Sequence, residues 1–269
     1  MRGRTDKISS QAAINLASND KTSFDQIMEV RDADNVAINA VLRIINSDGS
    51  IAEACGNGTR CVVSWLRKET SVDRFLFKTL GGLLNASIAG EMVSVDMGMP
   101  SFGWQDIPLS EEFSDTTGIE LQIGPIDQPV LHTPSVANMG NPHCTFWVND
   151  DVNAYDLERF GPLLENHPIF PERANITLAR VCARDHLDVR TWERGAGLTL
   201  ASGSSSCAAM VNGVRKGFID RNARVSVPGG EVQIEWREDN HVIMTGPTEF
   251  EFDGQLDAMT GETKFEIEV

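Results

Sequence analysis

Apolar residues recur at every second position in several stretches of the chain: "FLF" at 75–77, "VSVDM" at 93–97, "SVPGGEVQIEW" at 226–236, "FEF" at 250–252 and "FEIEV" at 265–269. A period of two marks strands with one buried face, so a sheet-rich protein is expected. Residues 226–236 read as a hairpin hinged at Pro228-Gly229-Gly230, and Asp253-Gly254 reads as a second turn of the same sort.

Helical spacing appears in two places. After Cys55 the set Cys61, Val62, Trp65, Leu66 follows i, i+1, i+4, i+5, and after Ser202 the set Cys207, Met210, Val211, Val214 follows i, i+3, i+4, i+7. Both runs reach an Arg-Lys pair near their C-terminal ends, where positive charge suits a helix dipole. The lead-ins also correspond: Ala54-Cys55-Gly56-Asn57-Gly58 overlays Ala201-Ser202-Gly203-Ser204-Ser205, which brings Cys61 and Cys207 to within one place of each other. Two halves of similar architecture are expected, with equivalent helix starts facing a shared cleft. The Pro-containing stretch "MGMPSFGWQDIP" at 97–108 is the expected crossing between halves, and the strand-like C-terminal segment is expected to return to the first.

Composition narrows the class. The chain has 269 residues, 41% hydrophobic and 23% charged, long enough for two domains with cores of their own. No apolar run approaches the ~18 residues of a membrane span, and "MRGRTDKISS" lacks the apolar core of a signal peptide, so a cytoplasmic protein with no membrane partner is expected. Asp and Glu (39) outnumber Lys and Arg (23), and the net charge of −16 argues against nucleic acid as a partner. Five cysteines without metal-like pairing fit reduced thiols, with Cys61, Cys144, Cys182 and Cys207 expected to pack in the interior. The histidines His132, His143, His167, His186 and His241 include no helical i, i+4 pair, so no metal is expected.

The two turns carry the chemistry. A helix start presents backbone N–H groups without intrahelical partners and the positive end of a dipole, which suits a substrate carboxylate and favours a thiolate. A thiol's ordinary pKa of ~8.5 falls in such a field, which fits Cys55 for general-base or nucleophilic work. The alternative is a small cysteine packed behind a turn. His143 lies two residues after Asn141 in "MGNPHC" and is either a turn-stabilising residue or a catalytic or orienting one. Arg194, in "TWERGAG" directly before the second turn, offers a planar fork for a carboxylate.

Taken together, "NSDGSIAEACGNGTRC" (46–61), "MGNPHC" (139–144), "ERANI" (172–176), "WERGAGLTLASGSSSCA" (192–208) and "MTGP" (244–247) resemble the diaminopimelate epimerase family, in order and spacing, over nearly the whole chain. The resemblance implies an α+β fold of two pseudo-symmetric lobes, each a curved, mostly antiparallel sheet around a central helix, with residues 1–103 plus 249–269 in one lobe and 104–248 in the other. It also implies a cofactor-independent two-base epimerase of lysine and peptidoglycan precursor synthesis, without metal or pyridoxal phosphate. In such an enzyme one thiolate removes the α-proton of diaminopimelate while a second thiol reprotonates the opposite face. On this chain Cys55 and Ser202 fall at the two catalytic positions. Gly56, Asn57, Gly203 and Ser204 match the carboxylate cradle, and Gln26, Asn46, Asn141, Asn175, Glu193 and Arg194 match substrate-holding positions. His143 matches an orienting position, and a small-molecule amino-acid substrate with a family-like homodimer is implied.

Two departures stand out. Ser202 occupies the place where the family has cysteine. An alcohol ionises far less readily than a thiol, a penalty of about 9 kcal/mol, against which a helix N-terminus supplies ~2 kcal/mol at best. Epimerisation is therefore expected to be impaired. The family's opening strand and Gly-Leu-Gly-Asn turn also have no counterpart, and residues 1–34 resemble the family segment that comes after that turn. Two other readings stay open: a diaminopimelate-binding pseudoenzyme, and a related proline-racemase-like isomerase or dehydratase that needs only one thiol.

Overall fold

In the computed structural model of the protein, which describes residues 6–264, alternation becomes strand over Arg74–Thr79, Met92–Asp96, Asn222–Val227 and Gly230–Trp236. Val227 pairs with Gly230, so the expected hairpin forms with Pro228 and Gly229 as its loop, while Gly230, expected in the hinge, begins the second strand with φ 136°. The "FEF" segment departs from expectation. Residues 250–252 join no ladder among the described residues, and Phe250 and Phe252 are mostly exposed, with the Lys68 ammonium 4.5 Å over the Phe250 ring. The hairpin there is made instead by Gln255–Leu256 and Thr263–Lys264, turned through Asp257 and Gly261, so Asp253-Gly254 is not its turn. The "FEIEV" segment lies outside the described residues.

The chain divides into two compact units, Met1–Val95 with Pro247–Val269, and Asp96–Gly246. The first has its strands in the spatial order Gln26–Arg31, Ala40–Asn46, Arg74–Thr79, Gly82–Ala89, Met92–Asp96. Its neighbours are antiparallel except Ala40–Asn46 and Arg74–Thr79, which run parallel. Parallel neighbours need a crossover, and a helix at Gly56–Arg67 supplies it. A shorter helix, Ser10–Ala17 (α1), buries Ala12, Ala13 and Leu16; the Ser9 hydroxyl caps it by accepting the Ala12 N–H at 3.0 Å. The crossover helix is α2. Glu29, 2% exposed on the first strand, accepts from Arg43 at 2.9 Å and also bonds Arg31. Burial pushes its carboxyl up, but the two guanidinium groups outweigh that and hold it below the usual range.

The second unit follows the same rule twice. Its strands lie in the order Val242–Gly246, Gly230–Trp236, Asn222–Val227, His186–Glu193, Asn175–Ala183, Pro142–Val148, Ser135–Asn138. The parallel pair Pro142–Val148 and Asn175–Ala183 is bridged by the helix Leu157–Glu165 (α3), and the parallel pair His186–Glu193 and Asn222–Val227 by Gly203–Arg215 (α4). Thus α2 and α4, the two helices expected to correspond, are both crossovers between parallel strands. Helix α4 is enclosed on all sides, and its run of Ser, Cys and Ala lets strands approach: Cys207, Met210 and Val211 pack with Leu187, Val225, Ile234 and Met244.

The buried stripe of α2 differs from the expected set. Thr59, Val62, Val63 and Leu66, at i, i+3, i+4, i+7, face inward, while Cys61 and Trp65 are exposed. Cys182 is exposed as well, at the bulge between Val181 and Ala183; Cys144 and Cys207 are buried as expected. Neither exposed thiol has a core to join, because each sits on the outer side of its element.

Candidate active site

In the first unit, the short strand Ile51–Ala52 delivers the chain to Cys55, the N-cap of α2. Its extended backbone (φ −148°, ψ 106°) turns the side chain back over the helix start, and Sγ accepts the Gly58 N–H at 3.1 Å. This amide and the positive helix end favour negative charge on the sulfur. Gly58 lets Met28 and the sulfur pack close: a Cβ there would stand 2.4 Å from Met28 Sδ, displacing that side chain, and 3.2 Å from the Cys55 sulfur. Thr59 secures the turn by donating to the Cys55 carbonyl at 2.7 Å, and Asn57 Oδ1 accepts from Arg60 at 3.1 Å. Gln26 and Asn46 lie opposite each other on adjacent strands, and the Gln26 amide donates to Asn46 Oδ1 at 2.8 Å.

In the second unit, Ser202 is the N-cap of α4 with similar dihedrals (φ −125°, ψ 112°), yet its side chain makes no cap bond. Its hydroxyl lies 2.8 Å from Glu193 Oε2 and 2.9 Å from Ser205 Oγ. One hydroxyl has one proton, and the carboxylate is the stronger acceptor. The Glu193 carboxylate also accepts from Thr199 at 2.7 Å. From Ser205 the network runs to His143 Nδ1 (3.3 Å), and from His143 Nε2 to Asn141 Oδ1 (2.7 Å). His143 is wholly buried; burial, and secondarily the Arg194 charge, push its pKa down to about 3, so the imidazole is neutral. The sequence-derived residues Asn141, His143, Glu193 and Ser202 thus form one hydrogen-bonded chain. Gly203 and Ser204 form the first turn of α4 beside it.

A second constellation supports Arg194. Glu193 and Gly197 pair across a tight hairpin whose loop is Arg194, Gly195 and Ala196. Asn175, 2% exposed, accepts the Arg194 N–H on Oδ1 at 3.0 Å and donates through Nδ2 to the Pro142 carbonyl at 2.9 Å. The Arg194 guanidinium donates to the Glu172 carbonyl at 3.0 Å.

Sequence reasoning missed Ser205, Thr199, Trp192 and Glu165, all of which contact this machinery. Glu165 left little signal: Leu157, Gly161, Leu164 and Glu165 are the buried positions of α3, and a glycine and a carboxylate among them blur the apolar period of the helix. Among the described residues one trio of potential metal ligands draws together, Cys182, His186 and Asp188. Arg180 is bonded to Asp188, and Arg224 lies 3.4 Å from His186 Nδ1. Two guanidinium groups oppose a cation there. No helix among the described residues is long and apolar enough to cross a membrane.

The family model for diaminopimelate epimerase matches residues 12–103 and 135–251. A diaminopimelate epimerase from Chelativorans sp. (strain BNC1) is 60% identical over 269 residues, covering 100% of this chain and 92% of that protein. One from Rhizobium meliloti (strain 1021) is 61% identical over 263 residues, covering 97% and 87%. Among solved structures, a hydroxyproline epimerase from Agrobacterium vitis with bound trans-4-hydroxy-L-proline is similar in fold, with TM-score 0.60, 14% identity and coverage of 87% and 75%. A phenazine biosynthesis protein of the PhzF family from Bacillus anthracis has TM-score 0.61, 14% identity and coverage of 88% and 84%.

Proposed function

The chain belongs to the diaminopimelate epimerase family, and from that premise we propose an amino-acid epimerase of LL- and meso-diaminopimelate whose two proton-transfer positions are unequal. Cys55 is the working base. Its sulfur, held by the Gly58 amide at a helix N-terminus, takes the α-proton of one stereoisomer. The backbone N–H groups of Gly56 and Asn57 at the start of α2 suit a substrate carboxylate, and so do those of Gly203 and Ser204 at the start of α4. Gln26, Asn46, Asn141, Asn175, Glu193 and Arg194 hold or frame the rest of the substrate, and His143 orients the second turn. The cytoplasm and a homodimer are the expected setting and assembly, on family grounds alone.

The observation that carries the inequality is the placing of the Ser202 hydroxyl. It lies against a carboxylate, and a neighbouring negative charge disfavours an alkoxide. Through Ser205 the bonds lead to the His143 imidazole, held at about 3 and too weak to take an alcohol's proton. Ser202 is therefore both a poor base and a poor acid, and net inversion is slow. The experiment is Ser202→Cys: inversion of either isomer should rise by at least a thousandfold. A cysteine variant that binds diaminopimelate yet stays inert would favour a second reading, a binding protein without turnover. The satisfied hydrogen bonds of Ser202 are compatible with that reading.

A further inference from the structure

We propose that Glu165 is a positioning residue that fixes the Arg194 turn for substrate. The proposal rests on the proposed epimerase function for the identity of the substrate, and on the geometry of α3 for everything else. Glu165 is 5% exposed at the last position of α3, and both its oxygens are engaged. Oε2 accepts the Trp192 indole N–H at 2.7 Å. Oε1 accepts the Gly195 backbone N–H at 2.9 Å and the Arg173 guanidinium at 3.2 Å. Two of the three donors thus belong to residues flanking Glu193 and Arg194, one on each side.

Packing sets the same segment from a second direction. The Trp192 ring lies so close to α3 that a Cβ on Gly161 would stand 2.4 Å from ring carbons. With its ring against Gly161 and its N–H on Glu165, Trp192 has one orientation, and the backbone after it inherits that orientation. Asn175 clamps the Arg194 N–H from the neighbouring strand. Glu193, which accepts from Ser202 at the end of its strand, and Arg194, the first residue of the loop, are therefore flanked on both sides by donors to a buried carboxylate whose own bonds go to Trp192, Gly195 and Arg173. Arg173 is the partner of Glu165 that does not belong to the loop, so it separates the two roles that Glu165 could have.

The test compares Glu165→Gln with Arg173→Ala in the full chain. A glutamine keeps the shape of the side chain but turns an NH₂ group toward at least one of three donors, whereas removing Arg173 leaves both bonds to the turn intact. In Glu165→Gln, amide hydrogen exchange over residues 192–197 should accelerate at least tenfold while α3 and its sheet stay protected, and meso-diaminopimelate should bind at least tenfold more weakly by calorimetry. In the Ser202→Cys background the same change should raise KM more than it lowers kcat. Arg173→Ala should leave Kd within about twofold, even where it lowers the melting temperature. Unchanged exchange at the turn overturns the proposal, as does a loosened turn with unaltered affinity, or equal losses of affinity in the two variants. A parent chain that binds neither isomer overturns the functional reading instead, and exchange at 192–197 still decides whether the carboxylate holds the turn.

Discussion

Cys55 and Ser202 begin equivalent helices, each a crossover between parallel strands, with nearly the same backbone conformation, but their side chains do opposite things. The sulfur folds inward over its own helix and takes an amide hydrogen bond; the hydroxyl turns sideways to a carboxylate and a second hydroxyl. An N–H donor stabilises a negative atom, and a carboxylate acceptor stabilises the protonated one. A helix N-terminus therefore does not by itself make a base. What matters is whether the capping atom receives a proton from its neighbours or gives one to them.

The largest effect expected from breaking this contrast is that of Ser202→Cys, because restoring a thiol removes a penalty of about 9 kcal/mol in ionisation. Inversion followed by chiral chromatography should rise by three powers of ten or more; an unchanged rate would mean that the side-chain element at 202 is not what limits turnover. Next in size is Cys55→Ala, which should lower α-proton exchange of bound diaminopimelate at least a hundredfold, the scale of a general base, with little change in Kd.

The third effect is on stability. His143 is neutral when folded, with a pKa depressed from the ordinary 6.5 to about 3. Between these values the unfolded chain binds a proton that the folded chain does not, so the stability this group contributes is full above pH 6.5 and is lost as pH falls toward 3. Urea melts across that window should show a decline on the order of a few kcal/mol, shallower in His143→Gln. Smallest is Ser205→Ala, which removes one lateral partner of Ser202 and should cost about 1 kcal/mol in the same melts without restoring inversion.

Much of this contrast was legible in the sequence, and the remainder was hidden for identifiable reasons. The turn-plus-helix phrases announced both helix starts because capping and apolar spacing are local. The hairpin at Pro228-Gly229 was legible for the same reason. Helix α3 was not, since Pro162 and Gly161 interrupt a stripe that only becomes meaningful when Trp192, far along the chain, packs on it. Helix α1 escaped because Ala12 and Ala13 carry too little apolar surface to give a strong period. The segment at 250–252 has strand alternation but pairs with no strand among the described residues, and alternation alone cannot supply one. The direction of the Ser202 hydroxyl was equally out of reach, because its partner Glu193 belongs to a different element.

The most direct measurement is solvent deuterium incorporation at the α-carbon of LL- and meso-diaminopimelate, monitored separately with the unaltered chain. One-sided chemistry gives label in only one stereoisomer, through Cys55, with that isomer recovered in its original configuration and inversion far slower than exchange. Rapid labelling of both isomers together with rapid inversion in both directions would show that Ser202 works as a full partner, contrary to what its bonding to Glu193 implies.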